Sequence, residues 1–438
     1  MTRGRAGAVS TLALCALMLA ANPATAASPD GSEAVTPYKM SSDARPVHGS
    51  AASTDGPRLR PGTYSDTISG GERKYYRVEL DATSNAFIST VLAPPPGSVI
   101  GPLDGVRISL ESTDGVKCSN SADVTFSGGT ARPIADYVTR RIEANRACQS
   151  AGDYLLSVEW IGSGDGPDKW PIELKFMAEP GLKEGTVPPA APSAWSSQAP
   201  DTPAGSARSV SGGTGFNDAP AVGEGAWKDE LRPGESRFYK VPLDWGQQLF
   251  LDAEFANSTT AQPPTVIGGL RLSLFNTARG FVRSADTNYL GKPAAVALGT
   301  APASFANRTA SQDTTGGMRF SGWYYVRVSL DQRIDSTLPM TLRVGVRGEP
   351  QPGPAYDGDA TAAGFGITDA DREAAQEGRV EDARGGSVLL KVIGVTGIGL
   401  GTVLVAGLAA WTVAGRRSRR SEEPEETVPL PREPDRTG

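Results

Sequence analysis

The sequence predicts an all-β fold: two antiparallel, jelly-roll-like β-sandwiches joined by a flexible linker, plus one C-terminal transmembrane helix. Three observations predict it. Short segments alternate apolar and polar residues with period two, one set of such segments is written twice, and a long apolar run lies near the C-terminus. The 438 residues include 52 glycines and 34 prolines, which suits β-domains separated by irregular segments.

Charge, composition and the motif search argue against nucleic-acid-binding proteins and against most classes of enzyme. The formal net charge is -6 at pH 7, so the chain lacks the basic excess with which a nucleic-acid-binding protein neutralises phosphates. The single histidine, His48, lies in a polar segment that holds no nucleophile beside it. The sequence contains no nucleophile elbow, phosphate-binding loop, His-Glu-x-x-His or Cys-x-x-Cys motif. We therefore expect no catalytic residue, no cofactor and no enzyme activity.

Residues 1–26 have the pattern of a secretory signal peptide. Two arginines precede a short apolar run, and Ala24-Thr25-Ala26 offers a cleavage site of the small-x-small type. The run is too short for an uncleaved membrane anchor. We expect export, removal of Cys15 with the signal, and a polar leader over residues 27–57.

Residues 388–415 form an apolar run of membrane-spanning length. As a helix, Val392–Gly415 would be about 36 Å long, against a hydrocarbon core of about 30 Å. Four arginines open the following segment, 416–438, and predict a cytoplasmic tail. The sequence thus predicts a single-pass type I protein of the cell membrane, with its N-terminal part extracellular. Gly397 and Gly401 form a Gly-x-x-x-Gly step that permits a homodimer through the span.

One module is written twice between the leader and the span. Gly71–Leu80 and Gly234–Leu243 have the same residue pattern and spacing. Three further blocks match in the same order: Val106–Leu110 with Leu270–Leu274, Gly152–Val158 with Gly322–Val328, and Pro171–Phe176 with Pro339–Val344. Four matched blocks in one order indicate an internal duplication. We place the two sandwiches at residues 58–180 and 223–350.

The two modules resemble the bacterial pre-peptidase C-terminal (PPC-like) domain, a small jelly-roll-like sandwich. The resemblance lies in a Gly-Glu-x-x-x-Tyr-x-Val-x-Leu opening strand, a Leu-x-Leu-Ser-Leu middle strand and a Gly-x-Tyr-x-x-x-Val closing strand. It implies accessory modules of the kind found beside secreted enzymes, linked to substrate or glycan binding and to secretion. It brings no catalytic residue, and no peptidase precedes either copy in this chain.

Three segments with less regular patterns complete the prediction. Residues 181–222 are rich in Pro, Ala, Ser and Gly, which predicts a flexible linker that lets the sandwiches move independently. Residues 351–387 predict an acidic juxtamembrane stalk, in which Thr368 caps a short helix that runs through Arg384. Within the first sandwich, the spacing of apolar residues predicts a short helix over Ile134–Ala147.

Outward-facing aromatics in the second closing strand are the candidate ligand-binding residues. If the alternate residues of that strand face the core, Trp323, Tyr325 and Arg327 project outward, where they suit a sugar ring or a protein loop. The alternative is that loops of the same chain cover them. We expect no metal site, and two acidic pairs in Gly-rich turns are interpreted as solvated turns in preference to calcium sites: Asp165/Asp168 and Asp357/Asp359.

Export leaves Cys118 and Cys148 as an even pair in an oxidising compartment, which predicts a disulfide between them. The comparable insertion of the second module, Asn276–Phe320, contains no cysteine, so the bridge would staple one module only. Two free thiols and a two-thiol metal site are the alternatives, and no histidine lies nearby to complete a metal site.

Together these patterns favour a non-catalytic, membrane-anchored extracellular binding or scaffold protein, whose partner is an extracellular protein or a glycan. An accessory subunit that presents or stabilises a separate secreted or membrane enzyme is the alternative. An enzyme with an unrecognised active site is the third hypothesis. The sequence itself does not identify the ligand.

Overall fold

A computed structural model of the chain describes most of the predicted extracellular part, in five stretches: residues 34–101, 103–127, 130–162, 169–200 and 205–380. The predicted signal peptide, the predicted span with Gly397 and Gly401, the tail, and the acidic pair Asp165/Asp168 all lie outside the described residues. No helix within the five stretches has the length and apolar character of a membrane span.

The first sandwich consists of two five-stranded sheets, A and B. Sheet A contains, in spatial order, β1 (Arg45–Pro46), β3 (Gly62–Ile68), β10 (Trp170–Glu179), β5 (Asn85–Leu92) and β8 (Ile134–Arg140). Sheet B contains β2 (Arg58–Leu59), β4 (Arg73–Leu80), β9 (Gly152–Ile161), β6 (Gly105–Ser112) and β7 (Ala122–Thr125). All pairings are antiparallel except those of β1 with β3 and of β2 with β4.

The second sandwich repeats this arrangement in sheets C and D. Sheet C contains β13 (Ser236–Leu243), β18 (Gly322–Leu330), β15 (Val266–Phe275) and β16 (Phe281–Tyr289). Sheet D contains β11 (Arg208–Ser209), β12 (Gly225–Leu231), β19 (Leu338–Arg347), β14 (Gln248–Phe255) and β17 (Ala294–Gly299). The remaining elements are a 3-10 turn (Phe305–Thr309) and two helices, α1 (Asp313–Gly316) and α2 (Asp369–Glu377).

Period-two alternation places one face of each opening strand in its own core. In β4, Tyr76 and Val78 are fully buried, and in β13 Tyr239 and Val241 are fully buried at the matching positions. Large apolar side chains buried in this way each contribute about 1.5–3 kcal/mol. Pro242 cannot donate to a ladder, and its strand β13 lies at the edge of sheet C as that chemistry requires. The predicted all-β sandwich architecture is confirmed for the described residues.

The two sandwiches share a hydrophobic core between the outer faces of sheets A and C. Val91 and Ala135 of sheet A lie in one buried cluster with Phe238 and Phe275 of sheet C. Phe216, from the predicted linker, completes this cluster. Because a continuous apolar core joins the sandwiches, the prediction that they move independently is wrong.

Residues Ile134–Arg140 are buried on both faces and form a strand where the sequence predicts a helix. The predicted helix over Ile134–Ala147 is wrong, because Ile134–Arg140 forms strand β8 and pairs with β5. Ile134 and Val138 face the core of the first sandwich, while Ala135 faces the second sandwich. Adjacent buried residues obscure the period-two signal and leave a spacing that also fits a helix.

The leader and the linker carry a repeat of their own. Ala-Arg-x-Val-x-Gly occurs at residues 44–49 and again at residues 207–212. Each copy contributes a two-residue strand that pairs in parallel with the first long strand of its sandwich, β1 with β3 and β11 with β12. Each sandwich therefore begins upstream of the predicted boundaries at residues 58 and 223. We call these two segments the straps.

Each strap ends on a carboxylate, Asp66 in the first sandwich, which is buried, and Asp229 in the second, which is half-buried. In the first sandwich, the Gly49 N–H and the Tyr76 hydroxyl each donate to Asp66 Oδ2 at 2.8 Å. The second sandwich repeats both hydrogen bonds, at 2.7 and 2.6 Å, with these residues in the same roles: Gly212, Tyr239 and Asp229. Two donors that converge on one carboxylate oxygen in both copies mark the straps as integral parts of the modules.

The predicted stalk is also packed, as far as the structure describes it. Thr368 caps α2 through a reciprocal capping box with Asp371, which confirms the predicted helix start. The helix ends at Glu377 and not at Arg384, because Gly378 adopts a left-handed conformation with φ 71°. Ala374 and Ala375 of this helix pack on the second sandwich.

The predicted disulfide between Cys118 and Cys148 is present. It ties the turn after β6 to the loop before β9 and closes a sequence separation of 30 residues. The bridge therefore fastens the long insertion of the first sandwich, as the sequence predicts.

Candidate functional site

The predicted ligand-binding residues do project from the core of the second sandwich, but other parts of the chain cover them. Trp323 packs against α2, with the Lys240 Nζ 4.3 Å from its ring centroid. Tyr325 stacks edge-on against Phe216 at 5.2 Å. Arg327 is only 4% exposed and donates to the carbonyl of Pro133 in the first sandwich. Trp323 and Tyr325 are thus half-buried under other segments of the chain, and Arg327 is buried at the junction between the sandwiches.

A buried glutamate organises the junction. Glu173 of β10 accepts hydrogen bonds from Arg279 of the second sandwich, from Asn217 of the linker, and from Tyr38 and the Ser41 N–H of the leader. Burial alone would raise the pKa of Glu173, but the Arg279 guanidinium and these donors hold it below its ordinary range. One carboxylate thus fastens four segments of the chain.

A second ion pair crosses the junction. Glu179, at the end of β10, accepts from Arg308 of the second sandwich and from the Tyr356 hydroxyl at 2.8 Å. The Arg308 guanidinium also lies over the Phe305 ring, 3.5 Å from its centroid. Both acidic groups are fully buried and fully partnered, so their role is structural.

Other polar residues singled out from the sequence form no site. His48 is exposed and lies 3.8 Å from Asp66, with no nucleophile beside it. Asp357 and Asp359 lie in a bend region, and within the described ranges no group of three or more His, Cys, Asp or Glu side chains is arranged to hold a metal ion.

An open concavity lined by aromatic and polar side chains lies on the outer face of sheet D. We call it the groove; its volume is about 610 Å³. Its floor is built around Phe250 of β14, whose cross-strand neighbours are Gly299 of β17 and Gly345 of β19. Two glycines beside a phenyl ring leave a depression in the sheet, since neither contributes a side chain.

One wall of the groove is a segment of the predicted linker. The Gln248 side-chain amide donates to the Ser196 carbonyl at 2.5 Å and to the Thr300 carbonyl at 2.7 Å, which ties the segment to sheet D. Pro200 covers Gly345, where an added Cβ would lie 2.8 Å from the proline ring. Trp195 stands at the rim with 45% of its surface exposed.

Asp252 is the notable polar group of the floor. Its Oδ1 is buried and has no hydrogen-bond partner among the described residues. Burial and the nearby charge of Glu254 raise the pKa of Asp252 above its ordinary value. Glu254 itself is held by both Nε and an Nη of Arg343, at 2.7 and 3.0 Å. Asp252 therefore has one buried carboxylate oxygen that receives no hydrogen bond from the described residues.

This arrangement suits the binding of a polyhydroxylated ligand. A buried carboxylate with no protein donor gains charge-assisted hydrogen bonds from hydroxyl groups, each worth about 1.5–3 kcal/mol. An exposed indole at the rim offers a flat apolar surface for one face of a ring.

Sequence reasoning missed the groove because its parts lie far apart in the chain. Gln248, Phe250 and Asp252 do alternate with the core residues of β14, and this period-two pattern was a usable signal for an outward face. Nothing in the sequence shows that Gly299 and Gly345 flank Phe250, since register between strands is a tertiary property.

No protein-family profile matches the chain, and no curated protein matches it. The resemblance to pre-peptidase C-terminal domains accordingly stays a prediction.

Three solved structures illustrate the likeness of this chain to known proteins. The ANX1 ectodomain from Arabidopsis thaliana is 10% identical, with 66% of this chain and 85% of that chain covered and a TM-score of 0.18. The tandem CBM22 domain of Xyn10C from Paenibacillus barcinonensis is 11% identical, with 66% and 86% covered and a TM-score of 0.18. The PBSX exported protein XepA is 12% identical, with 65% and 84% covered and a TM-score of 0.17. TM-scores this low carry no argument about function, so the proposal below depends on this chain's own geometry.

Proposed function

We propose that the protein is a non-catalytic, membrane-anchored extracellular binding protein that binds a glycan in the groove of its second sandwich. The observation that carries the proposal is the free Asp252 carboxylate on the floor of a groove with Trp195 at its rim. Pockets of about 300–1,000 Å³ with a few convergent polar groups are typical of ligand sites. The groove has the size, aromatic surface and acceptor that one or two sugar rings need.

The rigid junction supports this function. Because Glu173 and Glu179 fasten the first sandwich to the second, the groove is held at a fixed distance and orientation from the rest of the extracellular part. The described residues of the predicted stalk pack on the same body. A ligand held in the groove would therefore be presented in one geometry relative to the first sandwich.

A glycan array probed with the full chain in detergent tests the proposal. We expect retention of a restricted set of neutral saccharides, and loss of that retention for Trp195→Ala and Asp252→Asn. An array with no retained saccharide, or retention that both variants preserve, contradicts it. Stoichiometric recovery of a secreted enzyme with the chain, without saccharide binding, would favour an accessory subunit instead.

The membrane topology is proposed from the sequence and has its own test. Protease added to intact cells should degrade the sandwiches and leave a tag after Gly438 protected, because the arginines at 416–420 hold the tail inside. Loss of the tag under these conditions contradicts the proposed orientation.

A further inference from the structure

A smaller cavity, of about 200 Å³, is lined by residues of the first sandwich and of sheet C. Three arginines line it: Arg132, Arg271 and Arg327. Arg132 precedes β8 of the first sandwich, while the other two project from the outer face of sheet C. Both sandwiches therefore contribute positive charge to one cavity.

Two of these guanidinium groups are buried without an acidic partner. Arg132 and Arg327 are 6% and 4% exposed. Arg132 donates to the backbone carbonyls of Phe126 and Thr130, and Arg327 donates to the Pro133 carbonyl and, at 3.0 Å, to Ser273 Oγ. Neither forms an ion pair with any carboxylate in the described stretches, and the Nε of each lacks a partner there.

The carboxylates around the cavity are already engaged. Four acidic side chains lie nearby, and each has its own partners: Asp286 with Arg271 at 3.6 Å, Asp331 with Arg333 at 2.9 Å, Asp123 with Arg107, and Asp136 with the N–H groups of Tyr137 and Phe281. Burial, and then repulsion from Arg271, lowers the pKa of Arg132 to about 10. The cluster thus keeps an excess of buried positive charge.

We propose that this cavity binds a small oxyanion of the phosphate or sulfate type, either free or carried as a substituent of a larger ligand. Buried charges in proteins are paired, because an unpaired one carries a large desolvation cost. The planar guanidinium fork matches tetrahedral oxyanions in geometry. A cavity of this volume holds several groups of water size, each about 30 Å³, which is enough for one such anion. The site is separate from the proposed saccharide groove.

Thermal unfolding of the full chain in detergent tests the proposal. Inorganic phosphate is titrated against chloride at constant ionic strength and pH, and we expect a saturable rise in melting temperature of roughly 3 °C at a few millimolar phosphate. Glucose 6-phosphate, with glucose as its neutral control, separates a free anion from a sugar-borne one. A larger rise with glucose 6-phosphate indicates a substituted ligand, and an equal or smaller rise indicates the free anion.

Matched arginine variants exclude general stabilisation by phosphate, which acts on many proteins by exclusion from their surfaces. Arg271→Gln and Arg132→Gln should abolish the saturable rise, while Arg58→Gln, at an exposed arginine paired with Asp153, should retain it. Arg271 is partly exposed, and its ion pair with Asp286 is long, at 3.6 Å. Its variant is therefore expected to fold even if that of Arg132 does not. No rise for the unaltered chain, or the same rise in Arg271→Gln, overturns the proposal.

Discussion

Glu173 in the last long strand of the first sandwich receives a charge-assisted hydrogen bond from Arg279 of the second, and both side chains are almost completely buried. Asn217 bridges the pair, because its side chain donates to the carboxylate and accepts from the guanidinium. The two sandwiches are thus joined into one body by a buried polar contact, which lies between two clusters of aromatic and aliphatic side chains. The rigid presentation of the groove depends on this contact.

Breaking the buried pair should destabilise the whole extracellular part. Glu173→Gln leaves the Arg279 guanidinium buried without a counter-charge, so we expect a loss of about 3–5 kcal/mol in the free energy of unfolding. Chemical denaturation of the full chain measures it. Asp153→Asn, which removes the partner of the exposed Arg58, is the control and should cost at most about 1 kcal/mol. Equal losses for the two variants would contradict the account.

The junction should also depend on pH through Asp136, which accepts the Phe281 N–H of the other sandwich. Burial raises the pKa of Asp136 to about 6. A carboxyl whose folded pKa lies above its unfolded value favours folding at low pH, and that contribution is lost as the pH rises from about 4 to about 6. Asp136→Asn should therefore stabilise the chain at pH 7 by about 1–3 kcal/mol and have little effect at pH 4. Chemical denaturation at pH 4 and pH 7 measures the free energy of unfolding of the variant. A variant less stable than the unaltered chain at both pH values would contradict the proposed role of Asp136.

The straps should tolerate no side chain at their glycines. A Cβ on Gly49 would lie 2.7 Å from Tyr76 Cζ, and one on Gly212 would lie 2.8 Å from Tyr239 Cζ. Either alanine variant must displace the strap or the tyrosine, so we expect a loss of about 1–3 kcal/mol from each. Because the geometry is repeated, the two losses measured by thermal unfolding should be similar. A neutral effect at one position and a large effect at the other would show that the straps are not equivalent.

Removal of the disulfide should destabilise both sandwiches together. Closing a loop with a sequence separation of 30 residues stabilises by roughly 3–4 kcal/mol on the chain-entropy model. The double variant Cys118→Ser/Cys148→Ser should lower the melting temperature of one cooperative transition, since the junction couples the second sandwich to the first. Scanning calorimetry would contradict this coupling if it resolved two transitions of which only one moved.

The architecture was predictable where one face of a strand meets water. Tyr76 and Val78 alternate with half-buried or exposed neighbours, so their strand is evident from the sequence. The strands at the junction were not predictable from the sequence. Every residue of β5 is buried, and β8 has buried residues at adjacent positions. Such strands lose the alternation that the prediction uses.

The straps and the groove escaped prediction for different physical reasons. The Ala-Arg-x-Val-x-Gly repeat was present in the sequence, but its polar surroundings resemble those of a solvated linker. Trp323, Tyr325 and Arg327 face away from their own core, and only the tertiary structure shows that α2, the linker and the first sandwich cover them. Facing out of one sandwich is not the same as facing solvent.

The most direct test of the proposed function is a titration of the best saccharide from the array against three forms of the full chain: unaltered, Asp252→Asn and Glu230→Gln. Glu230 is an exposed carboxylate on the same sheet, outside the groove, and serves as the matched control. Loss of one charge-assisted acceptor should weaken binding about tenfold for Asp252→Asn and leave Glu230→Gln unchanged. If calorimetry finds the same affinity for all three forms, the groove is not the binding site and the account is wrong.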